Sequence, residues 1–165
     1  MKKWILPLLA ALLAAVSCGV LGETREERAA REAREAQMVY ENVQAGDFVI
    51  DIDRMIPIRG SSHHVNSYSV RVKDGVLTSY LPYIGRAYQI PYGGGKGLNF
   101  SERIGSYQES QKKNGQRHIE IGVKNDEDTY LYTIEVWDNG SSQIEVQPRQ
   151  RERITYSGDM IFDRK

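Results

Sequence analysis

Residues 129–146, TYLYTIEVWDNGSSQIEV, predict two strands joined by a tight turn. Apolar residues alternate with polar ones on both sides of the central Asn-Gly pair, as in strands with one buried face. A two-residue turn would place Ile134 opposite Glu145, whereas a three-residue loop at 138–140 places Ile134 opposite Ile144. Because a one-residue slip turns every side chain to the other face, the three-residue loop is the better interpretation. The stretch therefore indicates an antiparallel hairpin.

The same pattern extends in both directions along the chain. A three-residue loop at 113–115 places Tyr107 opposite Ile121. At Asp74-Gly75 both possible loop lengths pair apolar residues with apolar ones, so the register of that hairpin stays open. Alternation also predicts strands within residues 48–53, 68–73, 76–81 and 154–162.

These patterns add up to about eight antiparallel strands, which is typical of a sandwich or a closed barrel. A meander with few long crossovers favours the barrel. An eight-stranded barrel is either filled by side chains or holds one small ligand. The sequence thus predicts a mainly β domain over residues 37–165, preceded by one N-terminal α-helix.

Residues 22–46 predict that helix. Thr24 and Glu27 form a capping box, and most of the residues that follow are strong helix formers. The apolar face is thin before Tyr40, so the first half is typical of a solvated spacer. Gly46 is placed to end the helix in a left-handed conformation.

The N-terminus has the parts of an export signal. Lys2 and Lys3 precede an apolar segment at residues 4–16, which is shorter than the roughly 20 residues of a membrane-spanning helix. Small residues then precede Cys18, the only cysteine in the sequence, which excludes an intrachain disulfide. This arrangement resembles a lipobox, in which the cysteine becomes the first residue of the mature protein and carries lipid.

We therefore predict a lipoprotein signal peptide at residues 1–17 and a lipidated Cys18 with a helical spacer at residues 18–36. Several acyl chains would hold the protein on a membrane, since each buried methylene contributes about 0.8 kcal/mol. Ordinary cleavage, for example after Gly22, is the alternative, and it would release a soluble protein.

Charge and composition narrow the choice of partners. The 22 basic and 22 acidic residues balance, and loss of two lysines with the signal would leave a net charge of about −2. Nucleic acid is therefore not expected as a partner, because neutralising phosphates requires a basic surplus. Ten tyrosines against three phenylalanines suit half-wet positions such as cavity mouths, interfaces and sheet faces.

Residues 81–100, LPYIGRAYQIPYGGGKGLNF, form the most distinctive stretch. Its glycines and Lys96 suggest a phosphate loop, but Gly97 stands where that motif has Ser or Thr, and Ile90 replaces the earlier glycine. A glycine-rich connection at the rim of the β domain is the better interpretation. Nearby arginines and tyrosines could bind an anionic, partly apolar ligand or a protein partner. The candidate binding residues are Arg54, Arg59, Tyr83, Arg86, Tyr88, Tyr92, Lys96 and Phe100.

Other chemistry is not indicated. His63 and His64 are adjacent in a Ser-rich loop and His118 is distant, which is not the spacing of a zinc site. The acidic turn at residues 125–128 lacks the glycine and the distant glutamate of a calcium loop. No serine lies in a GxSxG motif. We therefore predict no catalytic residue, metal or cofactor, and a protein that is not an enzyme.

Four separated motifs carry a family resemblance: DIDRMIPIRG (51–60), SYLPYIGRAY (79–88), PYGGGKGLNF (91–100) and KNDEDTYLYTIEV (124–136). Together they resemble a family of Bacteroidetes envelope lipoproteins that carry the domain of unknown function 4251. The resemblance covers about residues 37–162 and implies a lipocalin-like β architecture, but no reaction. It also implies an outer-membrane lipoprotein that faces the periplasm or the cell surface.

The leading functional hypothesis is a lipid-anchored cell-envelope protein that binds a small amphipathic or lipid-like ligand through its Tyr/Gly-rich rim. The alternative is a protein–protein interaction module in envelope assembly, which would use the same rim.

Overall fold

The computed structural model describes residues 23–88, 96–112 and 115–162. One helix, α1 (Arg25–Ala45), precedes eight strands, and the chain divides into the units Met1–Arg31 and Glu32–Lys165. The strands are β1 (Phe48–Pro57), β2 (His63–Lys73), β3 (Val76–Leu81), β4 (Leu98–Gln111), β5 (Arg117–Lys124), β6 (Thr129–Val136), β7 (Ser141–Pro148) and β8 (Ile154–Met160). No helix in the described ranges is both long and apolar enough to cross a bilayer.

The described part of the first unit is the start of α1. The Thr24 N–H donates to Glu27 Oε2 over 2.8 Å, and the Glu27 N–H donates to Thr24 Oγ1 over 3.2 Å. The Thr24 N–H and the Thr24 hydroxyl both donate to the Glu27 carboxylate and lower its pKa. Arg31 Nε donates to Glu23 Oε1 over 2.9 Å. The predicted capping box is confirmed.

The eight strands form one closed antiparallel barrel in chain order, and β8 pairs with β1 to complete it. Ile134 lies opposite Ile144, and Tyr107 lies opposite Ile121, as the loop lengths predicted. The barrel prediction is confirmed over the sandwich.

The hairpin whose register stayed open has a two-residue turn. Lys73 pairs with Val76, and Asp74 and Gly75 both have positive φ, at 50° and 71°. A turn of this kind matches the right-handed twist of the two strands that it joins.

Side chains fill the barrel interior within the described residues. Apolar side chains from every strand are almost completely buried, and the hydroxyls of three buried tyrosines take part in hydrogen bonds inside the structure. The largest fully buried side chains are Tyr130, Tyr132, Tyr156, Ile50, Leu77, Leu81, Leu98, Ile119, Ile121, Ile134, Ile144 and Ile154. Among the residues that the structure describes, apolar and tyrosine side chains thus occupy the interior of the barrel.

Within the second unit, the last turns of α1 pack on the barrel. Val39 and Val43 are buried, and the Tyr107 hydroxyl donates to the Val43 carbonyl oxygen over 3.1 Å. Burial raises the pKa of Tyr107 to about 12. Gly46 has φ 61° and its N–H donates to the same carbonyl over 3.1 Å, so the predicted left-handed end of the helix is confirmed.

An antiparallel meander gathers alternate connections at opposite ends of a barrel. Residues 58–62, 82–97, 125–128 and 149–153 connect strands at one end, which we call the loop end. The other three hairpins lie at the opposite end, which we call the helix end because the last turns of α1 pack there. The distinctive stretch at residues 81–100 therefore belongs to the loop end.

The seam between β1 and β8 is unusually close. β1 has a bulge between Ile52 and Arg54, and Gly158 of β8 lies opposite Ile52. A Cβ added at Gly158 would lie 2.8 Å from the Asp51 carbonyl carbon and 2.9 Å from Ile52 Cα. Only glycine allows the two backbones to approach this closely.

Candidate binding site at the loop end

The first part of the β3–β4 connection lies against the β7–β8 connection. The Tyr88 N–H donates to the Gln150 carbonyl over 2.7 Å, and the Glu152 N–H donates to the Arg86 carbonyl over 2.9 Å. Ala87 and Arg151 form an isolated antiparallel bridge between these bonds. Backbone pairing thus fixes residues 86–88.

Tyr83 anchors the same segment from within. Its hydroxyl donates to the Glu152 carbonyl over 2.9 Å, and the side chain is half-buried. Burial raises the pKa of the Tyr83 hydroxyl, and the nearby Glu152 carboxylate adds to the effect. Of the predicted binding residues, this one holds the connection in place.

A buried ion pair lies beneath these connections. Arg151 Nη2 is 3.2 Å from Glu127 Oε2, and the two side chains are only 6% and 10% exposed. Glu127 Oε1 also accepts the Lys96 N–H over 2.8 Å, and the Arg151 guanidinium lies 5.9 Å from the Tyr83 ring centre. The pair therefore links the β5–β6 turn to both of the longer connections.

Asp128 completes this framework. Its buried carboxylate accepts the backbone N–H groups of Thr129 over 2.7 Å, Arg149 over 3.1 Å and Gln150 over 3.0 Å. Asn125 Oδ1 in turn accepts the N–H of Asp128 over 2.8 Å. Backbone donors thus satisfy the Asp128 carboxylate of the acidic turn.

An aromatic cluster underlies the loop end. The ring centre of Phe100 lies 4.7 Å from that of Tyr130 and 6.4 Å from that of Tyr132. The Tyr132 hydroxyl donates to Ser79 Oγ over 2.9 Å, and the Tyr156 hydroxyl donates to the Pro82 carbonyl over 2.6 Å. Burial raises the pKa of Tyr132 and of Tyr156. Phe100 thus packs into the core from a half-buried position.

The remaining predicted residues are exposed or lie outside the description. Arg54 is exposed on β1, and Tyr92 is outside the described residues. Arg59 Nη2 lies 3.7 Å from Glu152 Oε1, and Lys96 Nζ lies 3.4 Å from Asp126 Oδ2. Arg59, Arg86, Tyr83 and Tyr88 of the loop end were predicted, whereas Glu127, Arg151 and Glu152 were missed. Their opposite charges on connections at the same barrel end were the available signal.

Three apolar side chains are exposed on the connections at the loop end. Ile58 is 52% exposed, Ile84 51% and Tyr88 67%. Glu152 brings their two connections together, because one carboxylate oxygen pairs with Arg59 and the other accepts the Arg86 N–H over 3.1 Å. We call this surface the loop-end patch and define it as Ile58, Arg59, Ile84, Arg86 and Tyr88.

Metal chemistry has no visible support in residues 23–88, 96–112 and 115–162. No group of three or more His, Cys, Asp or Glu side chains in these ranges is arranged to hold an ion. His63 and His64 are exposed on β2, and His118 lies beside Glu120 on β5, with 3.3 Å between His118 Nε2 and Glu120 Oε1. The loop-end patch itself presents exposed apolar side chains together with Arg59 and Arg86.

Comparison with known proteins identifies the fold family. The model of the family described as domain of unknown function (DUF4251) matches residues 30–160. The crystal structure of a DUF4251 family protein from Bacteroides eggerthii DSM 20697 is similar, with a TM-score of 0.62 and 16% identity over 80% of this chain and 90% of that chain. None of the curated proteins matches. By the extent of the family match, and in agreement with the fold, this chain belongs to the DUF4251 family.

Proposed function

We propose that this protein is a membrane-anchored, non-enzymatic binding module of the cell envelope whose loop-end patch engages a protein partner. The observation that carries the proposal is the exposure of Ile58, Ile84 and Tyr88 beside arginines on one braced surface. Aromatic and arginine side chains are enriched at protein interfaces, and a rigid support reduces the entropy lost on binding.

Side chains in the barrel interior favour binding of a protein partner over binding of a small molecule inside the barrel. Sites for small molecules are concave and enclose most of the ligand surface, whereas the described interior is occupied by side chains. A small amphipathic ligand on the rim is the second candidate. Tyr83 and Phe100 favour it, because both are half-buried at this end of the barrel.

The two candidates differ in what a crosslinker would capture. With a photo-crosslinking residue at Ile84 in intact membranes, we expect one stoichiometric protein adduct. The combined change Ile58→Ser, Ile84→Ser and Tyr88→Ser should reduce co-purification of that partner at least tenfold, which corresponds to about 1.4 kcal/mol.

The matched control is Tyr80→Ser with Leu131→Ser, two exposed side chains of the strands themselves. This pair should leave partner capture unchanged. Absence of a protein adduct, together with a bound small molecule in native mass spectrometry, would favour the second candidate. Absence of both would remove the loop-end patch as a binding site.

The anchor is tested separately. We expect Cys18→Ala to move the protein from the membrane fraction to the soluble fraction, because only the lipidated cysteine would hold an otherwise polar protein on the bilayer. Fractionation followed by immunoblotting measures the change. Ser17→Ala, which keeps a small residue before the cysteine, should leave the protein on the membrane. Retention of the Cys18→Ala protein would contradict lipid anchoring.

A further inference from the structure

β4 is longer than the strand beside it. It spans Leu98–Gln111, but β3 pairs with it only as far as Arg103. The Ile104 N–H donates to the Gly75 carbonyl over 2.9 Å, where the β2–β3 hairpin ends. Beyond this bond, residues 106–111 pair with β5 on one side. Within the described residues, no strand pairs with their other side.

The direction of the free backbone groups follows from the ladder with β5. The Lys112 N–H donates to the Gln116 carbonyl over 2.8 Å, so residue 112 points its backbone groups toward the β5 side. Backbone groups alternate between the two sides of a strand. The N–H and C=O groups of Tyr107, Glu109 and Gln111 therefore point toward the open edge.

Little protects this edge from pairing. Natural edge strands are commonly blocked by lysine, proline or charged side chains that face a neighbouring strand. Here the outward side chains are Ser106, Gln108 and Ser110, all neutral and exposed. The charge of Glu109 is already engaged, because Arg117 Nη1 donates to it over 2.9 Å. Gln44 Nε2 donates to its other oxygen over 2.5 Å.

We propose that a second copy of this chain pairs with this edge as an antiparallel strand, about a two-fold axis at Gln108. In this register Tyr107 of one copy exchanges both backbone hydrogen bonds with Glu109 of the other. These are the residues whose groups point outward, so the ladder continues without a slip.

The side chains favour a copy of this chain over a different strand. Around the axis Ser106 faces Ser110 and Gln108 faces Gln108, so hydroxyls meet hydroxyls and amides meet amides. No like charges face each other across the outward face, and polar cross-strand pairs of this kind are favourable. Two-fold pairing also uses this edge of both copies, so the contact closes at two chains and does not propagate into fibres. The β4–β5 hairpin lies at the helix end, so the loop-end patch stays free.

The test uses the full-length protein in detergent, with its mass measured by native mass spectrometry. We expect a dimer for the wild-type protein and monomers for Gln108→Lys and for Gln108→Glu, because like charges would meet on the axis. Mixing the two variants should restore a dimer that contains one of each. Gln143→Lys, an exposed position on β7 paired on both sides, should remain dimeric.

Two results would overturn the proposal. One is a wild-type monomer at every concentration tested, with Tyr107, Glu109 and Gln111 amides that exchange rapidly with solvent. The other is a dimer that survives Gln108→Lys, which would place the contact elsewhere. Slow exchange of these amides in a wild-type monomer would show that another segment covers the edge, and would also contradict pairing between copies.

Discussion

Replacing Gly158 with alanine is expected to lower the free energy of unfolding by about 4 kcal/mol or more, an exceptional loss for one methyl group. The new Cβ would meet backbone atoms of Asp51 and Ile52, 2.8 and 2.9 Å away. Backbone atoms in a closed barrel cannot rotate away as a side chain can, so the β1–β8 seam must open. Urea unfolding followed by circular dichroism measures the loss.

Gly122→Ala is the matched control, since it also adds a methyl group to a strand glycine. Its Cβ would meet the Ser106 hydroxyl, a small side chain that can take another rotamer. We expect a loss of less than about 1 kcal/mol. Equal unfolding midpoints for Gly158→Ala and the wild-type protein would contradict the close approach of the two strands.

The second large effect concerns the ion pair under the loop end. Arg151→Met should destabilise the protein by about 3–5 kcal/mol, because it leaves the Glu127 carboxylate buried without its cation. Arg151 and Glu127 are only 6% and 10% exposed, so water cannot replace the missing partner. Thermal and urea unfolding at pH 7 measure the loss.

Adding Glu127→Gln to Arg151→Met should recover most of the stability. The glutamine amide carries no charge. Its oxygen can still accept the Lys96 N–H, which in the wild-type protein donates to Glu127 Oε1. The control is Arg153→Met, which removes the exposed pair with Glu145. A surface pair of this kind contributes about 0–1 kcal/mol. If Arg151→Met and Arg153→Met lower the free energy of unfolding equally, burial of the Arg151–Glu127 pair does not affect stability.

Most of the fold could be predicted from local patterns. Alternation and turn residues act over a few positions, so the loop at 138–140 followed from which side chains it brought together. The register at Asp74-Gly75 could not be predicted, because apolar residues on both faces remove the penalty for a slip. In the structure the positive φ of both turn residues accompanies the two-residue loop.

The exposed residues of the candidate site were partly predictable from the sequence. The buried ion pair beneath them was not. Arg59, Arg86 and Tyr88 lie in the distinctive stretch or near it, and in the structure all three contact the connection between β7 and β8. Arg151 lies in a charged run, which normally indicates a solvated connection. Its partner is 24 positions away in the chain, so only the order of the strands around the barrel brings the two together.

Tyrosine composition was ambiguous for a related reason. Tyrosine is common at partly exposed positions. It is also common in the core, where its ring is fully buried and its hydroxyl has a hydrogen-bond partner. Tyr132 and Tyr156 find theirs in Ser79 and in the Pro82 carbonyl, which are 53 and 74 positions away. Composition cannot show such partners, so it could not distinguish an open barrel from a filled one.

The pairing of β1 with β8 also governs when the domain can fold. The first and last strands are joined by contacts such as the hydrogen bond from Ser157 to Asp53, which spans 104 positions. Non-local pairing of this kind forms late, because a long loop must close before the contacts stabilise it. Until residues 154–160 are available, β1 has an open edge and no shorter length of chain can complete the barrel. Because synthesis proceeds from the N-terminus, this order postpones closure until the whole domain has been made.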